Sequence, residues 1–455
     1  MSANVHAIVL AAGQGTRMRS ALPKVLHPVG GRPMLLRVLD AASAAGMSNF
    51  HLVLGHGADQ VRAQLGAGVN VVLQAEQLGT GHAVQQALPA VPDEALVVVL
   101  YGDVPLIAAD LLQRLITAAG HGLALVTVRP ADPQGYGRIV RGANGAVLRI
   151  VEEKDASAEV RRIGEVNTGL LAAPAAKLRH WLARVGNDNA KREYYLTDVV
   201  ALAVAEGLRI TTVEAGDPHE VEGVNDPLQL AAAERDWQRR EAARLMHEGL
   251  YLADPARFDL RGQLRFGRDV HIDVGVIVEG EVELGDGVYV GPYTLLRNAR
   301  IGAGTRIEAH SVLDDCSVGA EARIGPFARL RPGAELADQV HIGNFVEIKK
   351  SRLGQGSKAN HLAYVGDASV GARVNIGAGV ITCNYDGVNK HRTVIGDDAF
   401  IGTDSQLVAP ITIGDRAYIA AGSTIVKPAP ADALTVCRAR EQKTFPNWKR
   451  PVKKS

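Results

Sequence analysis

Glycines and basic residues follow the first apolar segment of the chain and could hold an anion. In the stretch VLAAGQGTRMRSALPK an aliphatic run leads into Gly13 and Gly15, and then to Arg17 and Lys24. Glycine lets backbone N–H groups approach a phosphate closely, and the basic side chains supply compensating charge. The stretch is not a Walker loop, and Met18 stands where a dinucleotide-binding loop has its third glycine. The loop therefore predicts a site for a polyanion.

An aspartate ends the apolar run ALVVVLYGD and could hold a metal ion. Asp103 is the last residue of that run. Mg²⁺ takes oxygen ligands and keeps several waters, so one or two protein ligands suffice. A strand-end aspartate alone is more often a helix N-cap, and a lone GxG is more often a plain turn. Because the glycine loop, the segment QAEQLGTGHA and this aspartate occur together in this order, they predict a phosphate site with Mg²⁺.

His361, in SKANHLAYVGD, is the candidate for proton transfer in the second half of the chain. An imidazole ordinarily titrates near neutral pH and can act as a general base. Most of the 14 histidines are expected to lie on the surface without a catalytic role. His361 differs from them because it lies in an interruption of the repeat described below.

The first 226 residues alternate short aliphatic runs with helix-like segments. Strands that are apolar on both faces and are separated by helices predict a mostly parallel, Rossmann-like α/β sheet that is covered on both sides. Ligands of such sheets bind beyond the carboxyl ends of the strands, where GQGTR and YGD fall. The runs are HAIVLAA, NFHLVLG, VNVVLQA and ALVVVLYGD, with helices expected from about residue 34 to 45, near Val61 and near His82.

A long helix is predicted to link the two halves. Asp226 is placed as its N-cap, Pro227 as its first residue, and Gly249 just past its end. We therefore expect an α/β domain over residues 1–226, a linking helix over 227–249, and a repetitive domain over 250–455.

Beyond the helix the period changes to six. Hexads such as IDVGVI, IGAGTR, IGPFAR and IGDDAF begin with an aliphatic residue, which glycine often follows. One inward anchor every six residues is typical of a parallel β-helix, whose short strands bury their anchors against the coils above and below. A β-sandwich with irregular turns would not keep that phase over roughly 150 residues.

The six-residue period fails between about Lys349 and Val365, and again between Thr382 and Val394. Interrupted repeats predict loops that leave the stack, and long loops on a rigid scaffold often carry function. The ends of a β-helix expose strand edges, so the linking helix and the tail after Lys427 are expected to cover them.

Composition excludes several other classes of function. The net charge is +1, which favours neither a nucleic-acid nor a membrane-surface partner. No apolar run approaches the roughly 20 residues that a membrane span needs, and the first residues do not resemble a signal peptide. The three cysteines never form a C-x-x-C pair, so a reducing cytoplasm is expected.

Several motifs resemble those of known sugar-nucleotide enzymes. LAAGQGTRM, LPK, QLGTGHA and YGDVPL resemble the sugar nucleotidyltransferases. GYGRI, IVEEKDA, EVNTGL, EYYLTD, EVEGVND, NHLAYVGD, CNYDGVNK and the closing RPVKK narrow the resemblance to bifunctional bacterial enzymes. That family joins an N-acetylglucosamine-1-phosphate uridyltransferase to a glucosamine-1-phosphate acetyltransferase. The resemblance covers essentially the whole chain and implies both activities, in that family's pathway to UDP-N-acetylglucosamine for cell-wall precursors.

For the first half, the resemblance implies the roles of individual residues. Lys24 would contact phosphate and Arg17 the leaving pyrophosphate, both as catalytic residues, while Asp103 and Asn225 would hold Mg²⁺. The residues implied to bind UTP or the UDP-sugar are Leu10, Ala11, Ala12, Gly13, Lys24, Gln74, Gly79, Thr80, Tyr101, Gly102, Asp103, Gly137, Glu152, Asn167 and Asn225, of which Gly137, Glu152 and Asn167 would hold the sugar.

For the second half, the resemblance is to the left-handed β-helix acyltransferases. It implies a homotrimer with acetyl-coenzyme A bound between neighbouring coils, and a general-base role for His361 with Glu347 orienting it. The residues implied to bind the amino-sugar phosphate are Arg331, Lys349, Tyr364 and Asn375. Those implied to contact acetyl-coenzyme A are Ala378, Asn384, Tyr385, Lys390, Thr403, Ala421 and Arg438; family members often have serine where Thr403 stands.

Two other readings of the chain are possible. In one, only the nucleotidyltransferase is active and the β-helix regulates or oligomerises the protein. His361 and NYDGVNK argue against it. In the other, the protein is an inactive scaffold, against which the presence of Arg17, Lys24, Asp103 and Asn225 argues.

Overall fold

The chain folds into two compact units, Met1–Trp237 and Gln238–Ser455. The computed structural model describes residues 4–66, 68–120, 122–438, 444 and 446. The division between the units falls within the helix Pro227–His247.

The first unit is built on a nine-stranded sheet. Seven strands form its main path, and all neighbours on that path are parallel except Val166–Pro174, which runs antiparallel to both strands beside it. In spatial order the seven strands are Thr211–Glu214, Ala124–Val128, Val166–Pro174, Leu96–Tyr101, Val5–Ala11, Asn49–Leu54 and Val69–Leu73. Arg138–Arg141 and Val147–Val151 extend the sheet beside Val166–Pro174, and Pro28–Val29 pairs with Arg32–Pro33 in a separate hairpin.

Helices cover both faces of this sheet, as the aliphatic runs predict. Along the strand Val5–Ala11, Ala7, Val9 and Ala11 belong to one buried cluster, while Ile8 and Leu10 belong to another on the opposite face. The α-helices are Met34–Ala44, Ala58–Arg62, Thr80–Ala87, Ala109–Ala119, Ala175–Leu182 and Asp198–Ala205. The short 3-10 helices are Thr16–Met18, Lys24–Leu26, Leu88–Ala90, Glu153–Asp155, Val160–Arg162 and Pro218–Val221.

The helix Pro227–His247 has the predicted N-cap, because the Asp226 carboxylate accepts a hydrogen bond from the Gln229 N–H at 2.9 Å. Within the second unit, its Ala242 and Leu245 join the core of the coil. The Gln238 amide also pairs with both backbone groups of Leu260, at 2.7 and 2.8 Å. The helix therefore covers backbone groups of the first long strand of the β-helix, as predicted.

The second unit is a parallel β-helix with three faces. The strands of the first face are Tyr251–Leu252, His271–Ile272, Tyr289–Val290, Arg306–Ile307, Arg323–Ile324, His341–Asn344, Lys358–His361, Asn375–Ile376, Phe400–Ile401, Tyr418–Ile419 and Leu434–Thr435. The long strands Asp259–Phe266, Ile277–Leu284, Leu295–Ile301 and Val312–Val318 cover the second and third faces of the early coils. The second face continues with Arg329–Leu330, Glu347–Lys349, Tyr364–Gly366, Ile381–Cys383, Gln406–Val408 and Thr424–Ile425, and the third with Ala334–Leu336, Arg352–Leu353, Ala368–Val370, Thr393–Ile395 and Ile411–Ile413. The short 3-10 helix Pro255–Arg257 precedes the first long strand.

The expected loop between about residues 349 and 365 is wrong, because the stack continues there. Arg352 pairs with Glu335, 17 positions earlier, and with Ser369, 17 positions later. This spacing is the ordinary length of one coil. The aliphatic anchors Leu353, Ala359 and Val365 remain buried in this coil, and buried serine hydroxyls bond the next coil as well. The Ser351 hydroxyl accepts from the Ala368 N–H at 2.9 Å, and the Ser357 hydroxyl accepts from the Val374 N–H at 2.9 Å. Hydrogen bonds to buried hydroxyls therefore add to the aliphatic anchors that hold this coil in the stack.

The second interruption is a loop, as predicted. Ser369 pairs with Val394, which lies 25 positions later instead of 17 or 18. The extra residues leave the stack between the strands Ile381–Cys383 and Thr393–Ile395. Their backbone is closed by an isolated bridge between Tyr385 and Lys390.

Candidate active sites

A cavity of about 270 Å³ opens at the carboxyl ends of the central parallel strands of the first unit. The glycine loop and the loop after Leu96–Tyr101 meet there because Leu10 and Tyr101 are paired across neighbouring strands. The sequence-predicted residues that line this cavity are Leu10, Ala11, Ala12, Gly13, Lys24, Gln74, Gly79, Thr80, Tyr101 and Asp103.

The glycine loop is shaped around Lys24. Gly15 has a φ of +60°, and a side-chain carbon there would lie 2.7 Å from the Cβ of Lys24. Only glycine takes this conformation and this close approach without strain. The Lys24 side chain is directed to the carboxylate of Asp103, which it contacts, and its Nζ donates to Oδ1 of Asn225 at 3.2 Å. Lys24 is thus held at the mouth of the cavity, among groups from three separate parts of the chain.

Asp103 and Asn225 fit the ligand set of a divalent cation. Their side-chain oxygens converge on one positive group, the Lys24 ammonium, so they already form an oxygen-lined cation position. Carboxylate and amide oxygens are ligands that suit Mg²⁺, which needs few of them from the protein. Among the described residues no group of three or more His, Cys, Asp or Glu side chains could hold a metal ion.

Gly79 and Thr80 are fixed by the segment around Tyr194. Gly79 has a φ of +112°, and a side-chain carbon there would lie 2.7 Å from the Tyr194 carbonyl oxygen. The Thr80 hydroxyl accepts a hydrogen bond from the Leu196 N–H at 3.1 Å. The buried Gln74 amide donates to the Gly79 carbonyl at 3.2 Å. Glycine is therefore required where the chain passes this closely over a neighbouring backbone.

The three residues expected to hold the sugar lie together in the same unit. The Asn167 N–H donates to the Gly137 carbonyl at 2.8 Å, and a side-chain carbon on Gly137 would lie 3.4 Å from the Glu152 carboxylate. Burial raises the pKa of Glu152, and a hydrogen bond from Thr197 at 3.0 Å opposes that shift. The Asn167 side-chain oxygen is buried without a partner. This group is pre-shaped and has polar groups to offer a ligand.

Tyr101 connects the cavity to this polar group. Its pKa is raised by burial and by the carboxylates of Glu152 and Asp103. Its ring lies where a side chain on Gly169 would be, which explains a glycine with a φ of +88° at that position. The ionisation of Tyr101, which lines the cavity, therefore depends on the carboxylate of Glu152, which belongs to the group expected to hold the sugar.

Gly102 and Arg17 neither line the cavity nor belong to the group expected to hold the sugar. Gly102 is buried behind it, and its N–H donates to the Leu10 carbonyl at 3.0 Å. Arg17 is exposed in the 3-10 helix Thr16–Met18, on the loop that joins Gly13 to Lys24.

Gln77 and Glu193 line the cavity without having been predicted from the sequence. Gln77 donates to the Ala12 carbonyl at 2.6 Å. Its position three residues after Gln74, in the same motif, is the signal that could have identified it.

In the second unit, four of the predicted residues form one row along the corner between the first and second faces. The strand residues Ala359, Ile376, Ile401 and Ile419 pair with one another from coil to coil. Two positions after each of them stand, in the same order, His361, Ala378, Thr403 and Ala421. The backbone bonds from Asp404 to the Ala378 carbonyl and from Gly422 to the Thr403 carbonyl, at 2.7 and 2.8 Å, hold this row. Above the imidazole the row consists of small side chains, which leave room beside the corner.

A second group of predicted residues gathers around Asp367 on the second face. Lys349 Nζ lies 3.8 Å from the Asp367 carboxylate, and the Asn384 amide contacts the same carboxylate and the Tyr364 hydroxyl. The neighbouring Lys349 ammonium lowers the pKa of Lys390. Two ammonium groups held side by side make a suitable position for an anion. Lys390, assigned with acetyl-coenzyme A, therefore lies with the residues assigned to the sugar phosphate.

The expected pairing of Glu347 with His361 is wrong. Glu347 accepts from Arg331 at 2.7 Å and lies 3.8 Å from Arg329, so its carboxylate is engaged on the second face. The Nδ1 of His361 instead lies 3.1 Å from Oδ1 of Asn344, one coil earlier. A carboxylate between two guanidinium groups is held there by charge, which the sequence pattern alone did not reveal.

Arg331 pairs with Glu347 instead of joining either group, and three further predicted residues lie outside both. Asn375 lies on the first face, where it pairs with Lys358 of the preceding coil. Tyr385 is exposed in the loop, and its hydroxyl donates to the Gly387 carbonyl at 2.5 Å. Arg438 is exposed at the end of the continuous described chain.

Comparison with known proteins identifies both units. Residues 7–180 match the MobA-like NTP transferase domain, and residues 392–427 match the bacterial transferase hexapeptide family of six repeats. The second match agrees with the three-faced coil and places it among left-handed β-helices.

Full-length relatives carry one shared name. The chain is 59% identical to the bifunctional protein GlmU of Aromatoleum aromaticum, over 99% of both chains. It is 57% identical to that of Alkalilimnicola ehrlichii over 98% of this chain and 96% of the relative, and 56% identical to that of Bordetella parapertussis over 99% and 100%. With a nucleotidyltransferase unit followed by a hexapeptide coil and identity at this level over its whole length, the chain belongs to the family of bifunctional GlmU proteins.

Proposed function

We propose how the two units divide the work of this bifunctional enzyme, which acetylates glucosamine-1-phosphate and converts N-acetylglucosamine-1-phosphate and UTP to UDP-N-acetylglucosamine. Uridylyl transfer takes place in the cavity of the first unit, and acetyl transfer at the His361 corner of the second. The observation that carries the assignment is the meeting of Lys24, Asp103 and Asn225 at the cavity of about 270 Å³ that the glycine loop lines.

Uridylyl transfer needs charge neutralisation more than proton transfer. The sugar phosphate is already an anion at neutral pH, and its oxygen attacks the α-phosphorus of UTP while pyrophosphate leaves. Repulsion between the two anions is the obstacle, so the basic groups Lys24 and Arg17 stabilise the transition state. Mg²⁺, when held by Asp103 and Asn225, supplies further positive charge to the phosphates. The Gly137, Glu152 and Asn167 group holds the sugar.

Acetyl transfer needs a base because the incoming amine is protonated. His361 takes a proton from the sugar ammonium, and the freed amine forms a C–N bond with the thioester carbonyl as the C–S bond breaks. Coenzyme A leaves as the thiolate and takes up the proton that the nitrogen loses on becoming an amide, giving the free thiol. Arg331, Lys349 and Lys390 hold the sugar phosphate on the second face, with Tyr364 beside them. The row Ala378, Thr403 and Ala421 leaves a path along which acetyl-coenzyme A lies.

A homotrimer with a shared acetyl site accounts for the position of Asn375. Asn375 lies on the first face of the β-helix and the Lys349 group on the second, so one ligand would meet both only if a second copy supplies one of them. Tyr293, His310, Phe327 and Phe345 form an exposed stacked row on the same corner as His361, with ring centroids 4.9 to 5.4 Å apart. Exposed apolar rows of this kind favour a protein partner, here a second copy of the chain.

A cytoplasmic location fits the cysteines and the substrates. Cys316, Cys383 and Cys437 are free, as expected of a reducing compartment. In the part of the chain that the structure describes, no helix has the length and apolar character to cross a membrane.

One assay tests this division. Acetyl-coenzyme A, glucosamine-1-phosphate, UTP and Mg²⁺ are added together, and free thiol and pyrophosphate are followed separately. The proposal predicts thiol release first and pyrophosphate release after a lag. If acetyl-coenzyme A and glucosamine-1-phosphate release no thiol, while separately added N-acetylglucosamine-1-phosphate still releases pyrophosphate, the β-helix is not catalytic.

A further inference from the structure

We infer that Asn344 is a positioning residue for acetyl transfer, which sets the orientation and the tautomer of the His361 imidazole. The inference rests on the proposed role of His361 as the base. It concerns a residue that the sequence motifs did not single out.

The geometry places Asn344 directly beside His361 in the neighbouring coil. The two residues are register partners, each at the end of a first-face strand, His341–Asn344 and Lys358–His361. The Leu362 N–H donates to the Asn344 carbonyl at 3.1 Å, so the backbones are fixed as well. The side chains meet at 3.1 Å, between Nδ1 of the imidazole and Oδ1 of the amide.

The chemistry of that contact decides which nitrogen of His361 is the base. An amide oxygen only accepts hydrogen bonds, so Nδ1 must carry the proton. The lone pair of the neutral ring then lies on Nε2, which is the nitrogen left free for the sugar ammonium. In free imidazole both tautomers are populated, so a fixed Nδ1–H removes the unproductive one before substrate binds.

A neutral partner also suits the electrostatics of the corner. A carboxylate bonded to Nδ1 would favour the imidazolium, which cannot act as a base. The one carboxylate that the sequence offered for this role, Glu347, is engaged by Arg331 and Arg329. Basic groups stand on the same face: His341 lies one coil away, and burial, Arg323 and Lys358 lower its pKa, which favours its neutral form. The neutral amide of Asn344 therefore orients the ring without placing a negative charge beside it.

Two substitutions separate positioning from a merely structural role. Asn344→Ala removes the acceptor, and we expect kcat for acetyl transfer to fall about tenfold at every pH, with little change in KM for glucosamine-1-phosphate. Asn344→Asp keeps an acceptor of the same shape. We expect it to restore activity to within about threefold of wild type above pH 8 and to move the acid limb of the pH–kcat profile to higher pH by about one unit.

Three controls accompany the pair. Pyrophosphate release by the first unit reports folding of each full-length variant. Gln355→Ala removes an exposed amide contact to Gln339 at 3.4 Å in the same part of the coil, and should leave acetyl transfer unchanged. His361→Ala tests the base role itself.

The outcomes are distinguishable. If His361→Ala acetylates at near wild-type rate, the proposed function of His361 fails, and with it the inference. If His361→Ala is inactive but Asn344→Ala matches wild type, the base role stands and the positioning role is refuted. If Asn344→Asp is as slow as Asn344→Ala at high pH, the amide acts through its N–H₂ group or through packing, and the inference is also refuted.

Discussion

Replacing Lys24 with alanine should slow uridylyl transfer by about 100- to 1000-fold. The Lys24 side chain is 12% exposed and contacts the Asp103 carboxylate, so its charge acts in a partly desolvated site. A unit charge about 4 Å from a phosphate, at an effective dielectric near 20, contributes about 4 kcal/mol. That energy corresponds to about a thousandfold in rate if it is realised only in the transition state. Solvent at the cavity mouth screens part of it, which sets the lower bound.

The assay is the initial rate of pyrophosphate release from UTP and N-acetylglucosamine-1-phosphate at saturating Mg²⁺. Lys177→Ala, an exposed lysine on the helix Ala175–Leu182, is the matched control and should keep the wild-type rate. Thiol release from acetyl-coenzyme A by the Lys24 variant should equal that of the wild type.

Two results would refute the reasoning about Lys24. A loss of less than about fivefold would mean that its ammonium contributes little to the transition state. A parallel loss of thiol release would mean that the substitution acts on the whole chain and not on a separate nucleotide site.

Three further predictions follow from other parts of the molecule. Ser351→Ala leaves the buried Ala368 N–H without its acceptor and should lower the free energy of unfolding by about 1 to 3 kcal/mol, as measured by denaturant titration; an unchanged midpoint would contradict the role given to the buried serines. The buried imidazoles of His6 and His51 lie 2.8 Å apart, and burial lowers the pKa of both, with Glu94 opposing the shift at His6. Because the unfolded chain then binds more protons than the folded chain, the contribution of this pair to stability is present above pH about 6.5 and is lost as the pH falls below it. The melting temperature should therefore fall more steeply from pH 8 to 5 than that of the His6→Gln/His51→Gln variant. Equal slopes would refute the pair's contribution. Chelation of divalent cations should abolish pyrophosphate release and leave thiol release intact, whereas loss of both would contradict a metal confined to the nucleotide site.

The nucleotide cavity could be predicted from the sequence because its parts are local. Each aliphatic strand ends in a loop, and parallel strands bring the ends of those loops to one edge of the sheet. Gly13, Lys24 and Asp103 therefore had to be neighbours once the strands were recognised. Gln77 escaped notice because its contact is to a backbone carbonyl, which no residue pattern reveals.

The acetyl site was less predictable because its contacts cross from coil to coil. The row of His361, Ala378, Thr403 and Ala421 depends on a spacing of 17, 25 and then 18 residues, set by the inserted loop. The partner of His361 could not be read from the sequence, because the Glu347 carboxylate accepts a hydrogen bond from Arg331 instead. The coil over residues 349–365 was mistaken for a loop because the step from Ile348 to Leu353 is five residues instead of six, although both side chains are buried in the stack.

Mixing two defective variants tests the central claim that one chain carries two separate catalytic sites. Lys24→Ala and His361→Ala are each supplied with glucosamine-1-phosphate, acetyl-coenzyme A, UTP and Mg²⁺, alone and together, and formation of UDP-N-acetylglucosamine is measured. Separate sites predict little product from either variant alone and a rate in the mixture within about threefold of wild type, because the acetylated intermediate passes from one protein to the other through solution. A mixture no faster than the better single variant would contradict the assignment of the two reactions to two sites.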